Sequence, residues 1–117
     1  MKTVIHERNG VRVAEILAEG IIVNDPGDFL DLVANSGSRH LVLKKENLCP
    51  EFFELKSGIA GEILQKASNY GVAFGIVGDF ENLKSKSLRD FIYESNRTGR
   101  HVFVPTLDAA LDMFCAG

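Results

Sequence analysis

Polar and apolar residues alternate at the start of the chain. Thr3 to Arg8 and Val11 to Leu17 read as two strands joined by Asn9-Gly10, a pair able to take positive φ at both central positions of a two-residue type I′ turn. Such a turn fixes the register, with Arg8 opposite Val11, Glu7 opposite Arg12 and Ile5 opposite Ala14. The apolar period then lengthens. Asp25-Pro26 predicts a helix start, the aspartate capping free N–H groups and the proline standing where no N–H is needed. Phe29, Leu32 and Val33 form its buried stripe, and Gly37 ends it near Ser36. Arg39 to Leu43 is a short strand, and Lys44-Lys45-Glu46-Asn47 leads out of it into solvent.

From Pro50 onward, Phe52, Leu55, Ile59, Ile63 and Ala67 recur at spacings of three and four, a helical seam that closes at Tyr70-Gly71. Ser57-Gly58 interrupts its propensity by about 1 kcal/mol against alanine, so either a break or a tightly packed contact is expected there. Val72 to Val77 is almost wholly apolar, as a central parallel strand is, and Gly75 within it marks a close helix–strand approach. Ser87 with Asp90 reads as a capping box for a third helix carrying Leu88, Phe91 and Ile92, which runs to Asn96-Arg97-Thr98-Gly99. His101 to Val104 is the last strand, stopped by Pro105. Thr106 then caps a final helix with Leu107, Leu111 and Phe114 on one face.

The order ββαβαβαβα predicts an α/β fold: a single domain over residues 1–117 with a mixed, mostly parallel five-stranded sheet, four helices and right-handed crossovers. Composition agrees, since 45% hydrophobic and 25% charged residues in 117 is ordinary globular usage. Thirteen basic against sixteen acidic residues give a net charge of −3, without the basic surplus that attracts nucleic acid. The apolar runs are far shorter than the ~20 residues of a membrane span. Cys49 and Cys115 form no CxxC pair and the chain opens on no signal-like segment, so a reduced, cytoplasmic setting is expected.

Candidate chemistry is sparse. The glycines around Gly58-Ile59-Ala60-Gly61 and Gly71 to Gly78 match neither GxGxxG nor GxxxxGK[ST]. His6, His40 and His101 lack metal-ligand spacing. His40 and His101 fall at strand starts, the edge opposite to where parallel sheets bind ligands, and read as solvated or capping histidines. The carboxyl edge instead gathers Glu46, Asn47, Asp79 and Thr106, with Ser57 and Gly58 nearby if the second helix breaks. A Ser–His–Asp triad lacks its histidine there, and Cys49 lacks an activating base, so it reads as a packed or capping residue. Tyr93, beside Arg89, Asn96 and Arg100 on the outer face of the third helix, is a candidate contact residue, because tyrosine and arginine favour interfaces. No catalytic residue, metal or cofactor is assigned.

Leu41 to Gly78 resembles a STAS domain, the fold of bacterial anti-sigma factor antagonists, through Ser57-Gly58-Ile59-Ala60-Gly61 at a helix start and the glycine-bounded strand Val72 to Val77. Val104-Pro105-Thr106-Leu107 is similar to that family's last strand and helix. More closely, Lys45-Glu46-Asn47-Leu48, Ala60 to Lys66, Val77-Gly78-Asp79-Phe80 and Ser85 to Tyr93 resemble an uncharacterised bacterial domain-of-unknown-function family, number four-one-eight-zero, which implies no activity. The STAS resemblance implies a non-catalytic domain that docks on a kinase-like anti-sigma factor and is phosphorylated on a serine, here Ser57. This sequence departs from that pattern by carrying Leu55-Lys56 where an aspartate usually precedes the serine, and by placing Gly61 one residue late. Two further readings stand beside it. One is a small-molecule or weakly hydrolytic site using Asn47, Asp79 and Thr106. The other is a homodimer or accessory subunit acting through the helix that exposes Tyr93.

Overall fold

In the computed structural model, which describes residues 1–116, Asn9 and Gly10 take φ values of 53° and 79°. They join β1 (Lys2–Arg8) to β2 (Val11–Leu17) in the expected register, Glu7 facing Arg12 and Ile5 facing Ala14. The chain continues through α1 (Pro26–Ser36), β3 (His40–Lys44), three 3-10 turns (Lys45–Asn47, Pro50–Phe53 and Leu55–Ser57), α2 (Ile59–Asn69), β4 (Ala73–Val77), α3 (Lys86–Thr98), β5 (His101–Val104) and α4 (Leu107–Phe114). The fold of the described residues is thus α/β, with four helices and one five-stranded mixed sheet in the order β1-β2-β3-β4-β5, antiparallel at the β1–β2 hairpin and parallel elsewhere.

Strands that neighbour in chain order and run parallel are joined by crossovers of one hand, and each returns on the same side of the sheet. The two faces are covered accordingly. Ala14, Leu41, Leu43, Phe74, Ile76 and Phe103 point to the face packed by Phe29 of α1, Ile63 of α2 and Leu88 of α3. Their alternates Val13, Val42, Val102 and Val104 meet Ala110, Leu111 and Phe114 of α4 on the other. Among the described residues one short helix serves that second face, and it comes close. A Cβ built on Gly75 would stand 3.2 Å from the Cβ of Ala110 and 3.4 Å from a methyl of Val102.

Local chemistry sets the element ends. Asp25 accepts a hydrogen bond from the Asp28 N–H at 2.9 Å, and Gly37 ends α1 with φ of 69°. The seam predicted from Pro50 is broken where Ser57-Gly58 stands: Gly58 has φ of 79°, which no residue inside an α-helix adopts, and Pro50 to Ser57 wind as 3-10 turns instead. The cap of α3 is Ser85 rather than Ser87. Its hydroxyl accepts from the Leu88 N–H at 3.2 Å, and Lys86 and Asp90 pair at 2.8 Å along the added turn.

The histidines at the strand starts are not both solvated. Strand alternation turns His101 onto the three-helix face, where it is 5% exposed, stacks on Phe74 at 4.5 Å between centroids and pairs its Nε2 with the Ser68 hydroxyl at 3.3 Å. Its Nδ1 is buried without a partner. His40, half-buried on the other face, meets Phe114 edge-on at 5.3 Å. Burial, aided by the Arg100 cation, lowers the pKa of both, that of His101 from 6.5 to about 4.

Two outcomes follow from these packing facts. Gly75→Ala should cost about 1–3 kcal/mol through overpacking against α4, whereas Gly61→Ala, in an open position of α2, should stabilise by about 0.5–1 kcal/mol; urea unfolding of both variants reads the signs. Between pH 6.5 and 4 the unfolded chain binds the proton that folded His101 refuses, so stability is lost as pH falls through that window, by roughly 3 kcal/mol in all. His101→Phe keeps the stack on Phe74 and should flatten most of that slope; an undiminished slope would assign it to other groups.

Candidate functional site

Helices that follow parallel strands begin at the sheet's carboxyl edge, so the starts of α2 and α3 and the exits of β3, β4 and β5 converge there. Asn47, expected in solvent after β3, is instead completely buried. Its side-chain oxygen accepts from the Lys44 N–H at 3.0 Å, and its amide donates to the carbonyls of Ala18 and Gly20 at 3.0 and 2.9 Å. Its own carbonyl accepts from the N–H groups of Ile22 and Val23. The residue ties the β2 exit to the β3 exit, and its amide protons are fully used.

Asp79 and Thr106 also serve their local backbone. A carboxylate oxygen of Asp79 accepts from the Glu81 N–H at 3.0 Å, and the Thr106 hydroxyl accepts from the Ala109 N–H at 3.1 Å as the cap of α4. Asp79 lines a cleft of about 350 Å³ with Phe80, Glu81, Ile92, Asn96 and Phe103, whose walls include neither Asn47 nor Thr106. The three residues are therefore not brought into one cavity. Cys49 is buried, its thiol 3.6 Å from the Asn24 carbonyl and its pKa raised by that burial, as suits a packed side chain.

Ser57 is exposed on the turn before α2. Its hydroxyl donates to the Glu51 carbonyl at 2.6 Å and accepts from the Ile59 N–H at 3.2 Å, while Gly58 supplies the left-handed bend that frees the helix start. Phe53, Glu54, Leu55, Lys56, Ser57, Ser85 and Ser87 line a groove of about 650 Å³ between this turn and the start of α3. Beside it, the Lys45 ammonium lies 5.6 Å from the centre of the Phe53 ring and 5.2 Å from that of Phe80, and donates to the Asp79 carbonyl at 3.2 Å. Phe53, Phe80, Ser85 and Ser87 were not among the residues the sequence singled out for this site. The Phe52-Phe53 pair and the fact that both helices start at one edge were the available signs.

Tyr93 is 68% exposed on α3, but two of the three neighbours expected beside it, Arg89 and Asn96, are occupied elsewhere. Arg89 donates to the carbonyls of Leu83 and Lys84, and Asn96 bonds the backbone of Phe103. Among the described residues, no group of three or more His, Cys, Asp or Glu is arranged to hold a metal ion, and no helix is long and apolar enough to cross a membrane.

An α/β domain with one mixed sheet and its helix starts gathered over the carboxyl edge is the class that this architecture defines. Residues 8–114 match the family described as domain of unknown function (DUF4180), and the chain belongs to that family. No curated protein and no solved structure matches the chain.

The different duties of the edge residues separate in stability. Asn47→Ala strands a buried N–H and two carbonyls, at about 1–3 kcal/mol for each group left unsatisfied, so the variant should lose well over 3 kcal/mol or fail to fold. Thr106→Ala removes one exposed helix cap and should lose only about 1 kcal/mol. Chemical denaturation distinguishes the two.

Proposed function

We propose that this domain is a non-enzymatic, STAS-like regulatory module of the bacterial cytoplasm that docks on a protein partner, a kinase-like anti-sigma factor, through the start of α2 and the neighbouring strand exits. Ser57 is its phosphorylation site. The observation that carries the reading is the break at Gly58: it leaves Ser57 exposed at the mouth of the groove, with its hydroxyl already facing the Ile59 N–H. A phosphoryl group there adds about −1.5 to −2 charge at a helix N-terminus, where the dipole tolerates it, and changes the docking surface without unfolding the domain. The cleft under Asp79 favours a second reading, a small apolar ligand held between Phe80, Ile92 and Phe103. In that reading Asn47 and Thr106 support the edge rather than touch the ligand.

The test compares tagged wild type, Ser57→Ala and Ser57→Asp, purified from the native cell with mass spectrometry of partners and of Ser57. A kinase-like partner retained by wild type and Ser57→Ala, lost at least tenfold by Ser57→Asp, with unchanged melting of all three, is the expected result. Equal recovery on Ser57→Asp overturns the switch. Absence of both the partner and the phosphate overturns the docking reading in favour of the Asp79 cleft.

A further inference from the structure

The sheet has two edges, and they are finished differently. At β5 the outward backbone groups are consumed by α3: the Ser95 hydroxyl donates to the His101 carbonyl, the Asn96 amide donates to the Phe103 carbonyl at 3.1 Å, and the Asn96 oxygen accepts from the Phe103 N–H at 2.6 Å. No strand can add there. At β1 the type I′ turn makes Arg8 and Val11 a hydrogen-bonded pair, and the antiparallel alternation then turns the N–H and C=O of Thr3, Ile5 and Glu7 away from β2. Among the described residues, no side chain and no other segment bonds those groups. Ile5, midway along this edge, is 39% exposed.

We propose that β1 pairs with β1 of a second copy of this chain, antiparallel about a two-fold axis through Ile5, so that two five-stranded sheets become one. The pairing goes beyond the Ser57 reading and does not depend on it. All seven residues of the strand find partners in this register. Ile5 meets Ile5, and Thr3 meets Glu7 of the second copy, hydroxyl against carboxylate. On the opposite face Lys2 arrives beside Arg8 of the second copy. That arginine lies 3.2 Å from a carboxylate oxygen of Asp112 and 3.4 Å from one of Asp108, so two acids surround one base. The incoming Lys2 neutralises the remaining negative charge. Pivoting on His6 instead would set Glu7 against Ile5 and shorten the overlap.

Light scattering and sedimentation over a concentration series should give wild type the mass of two 12.9 kDa chains. Ile5→Lys places two ammonium groups across the axis and should run as a monomer with an unchanged circular dichroism spectrum, while Tyr93→Ala should remain dimeric. Lys2→Glu, at an exposed position, should raise the dimer dissociation constant roughly tenfold, which corresponds to ~1.4 kcal/mol, and serves as the deciding variant if Ile5→Lys fails to fold. A wild type that stays monomeric at its highest soluble concentration, or a dimer indifferent to both substitutions, overturns the proposal.

Discussion

Every crossover from β2 to β5 joins adjacent parallel strands with one hand, and most of the remaining structure follows from that constraint. Three helices are committed to one face, so among the described residues the other is covered by the eight residues of α4. A helix that short must sit close to be worth burying. Gly75 permits the approach, Ala110 exploits it, and the hairpin holds α4 from the side through Arg8 to Asp108 and Asp112 and through the Asn9 amide to the Cys115 carbonyl at 2.7 Å. The β1–β2 hairpin thus does more than extend the sheet. It clamps the helix that covers the second face.

The same topology brings the helix starts and strand exits to the carboxyl edge, where loops must be held without regular structure. Asn47 does much of that holding. A side chain with two donors and an acceptor, sealed from water, fixes one backbone N–H and two carbonyls that would otherwise be left unpaired. Beyond it, the Lys45 ammonium lies over the rings of Phe53 and Phe80, and a Cβ on Gly78 would stand only 2.7 Å from that lysine's own Cβ. The edge is therefore a packed surface, and the groove along Ser57 and the cleft under Asp79 are two openings in it.

Much of this was legible because the determinants are local. Asn9-Gly10 dictates a register, Asp25-Pro26 and Thr106 dictate helix starts, and Gly37 dictates an end, each within a few residues of where it acts. The candidate site was less legible because its determinants are distant. Asn47 follows two lysines and a glutamate, a run that reads as solvent, yet its partners Ala18 and Gly20 lie 29 and 27 residues upstream. His101 follows an arginine and reads as a solvated or capping strand start, but the alternation that makes Phe103 a core residue also turns His101 inward. Ser85 and Ser87 are both good caps two residues apart, and only the backbone geometry at Ser85 chooses between them.

The hydrogen bonds of Ser57 distinguish the proposed switch from a simple charge added to a surface. Phosphorylation replaces the hydroxyl that donates to the Glu51 carbonyl, so that tie is lost and a carbonyl is left facing an anion. The contact with the Ile59 N–H is of the opposite sense, because the serine oxygen accepts there, and added negative charge at the start of α2 leaves that end of the helix favoured. The effect is therefore directed toward Pro50–Phe53 and away from α2. That turn carries Phe53, which lines the groove and lies under the Lys45 ammonium. A partner seated along the groove would meet both the new charge and a displaced aromatic wall, while the core beneath, anchored through Phe52 and Ile63, stays as it was.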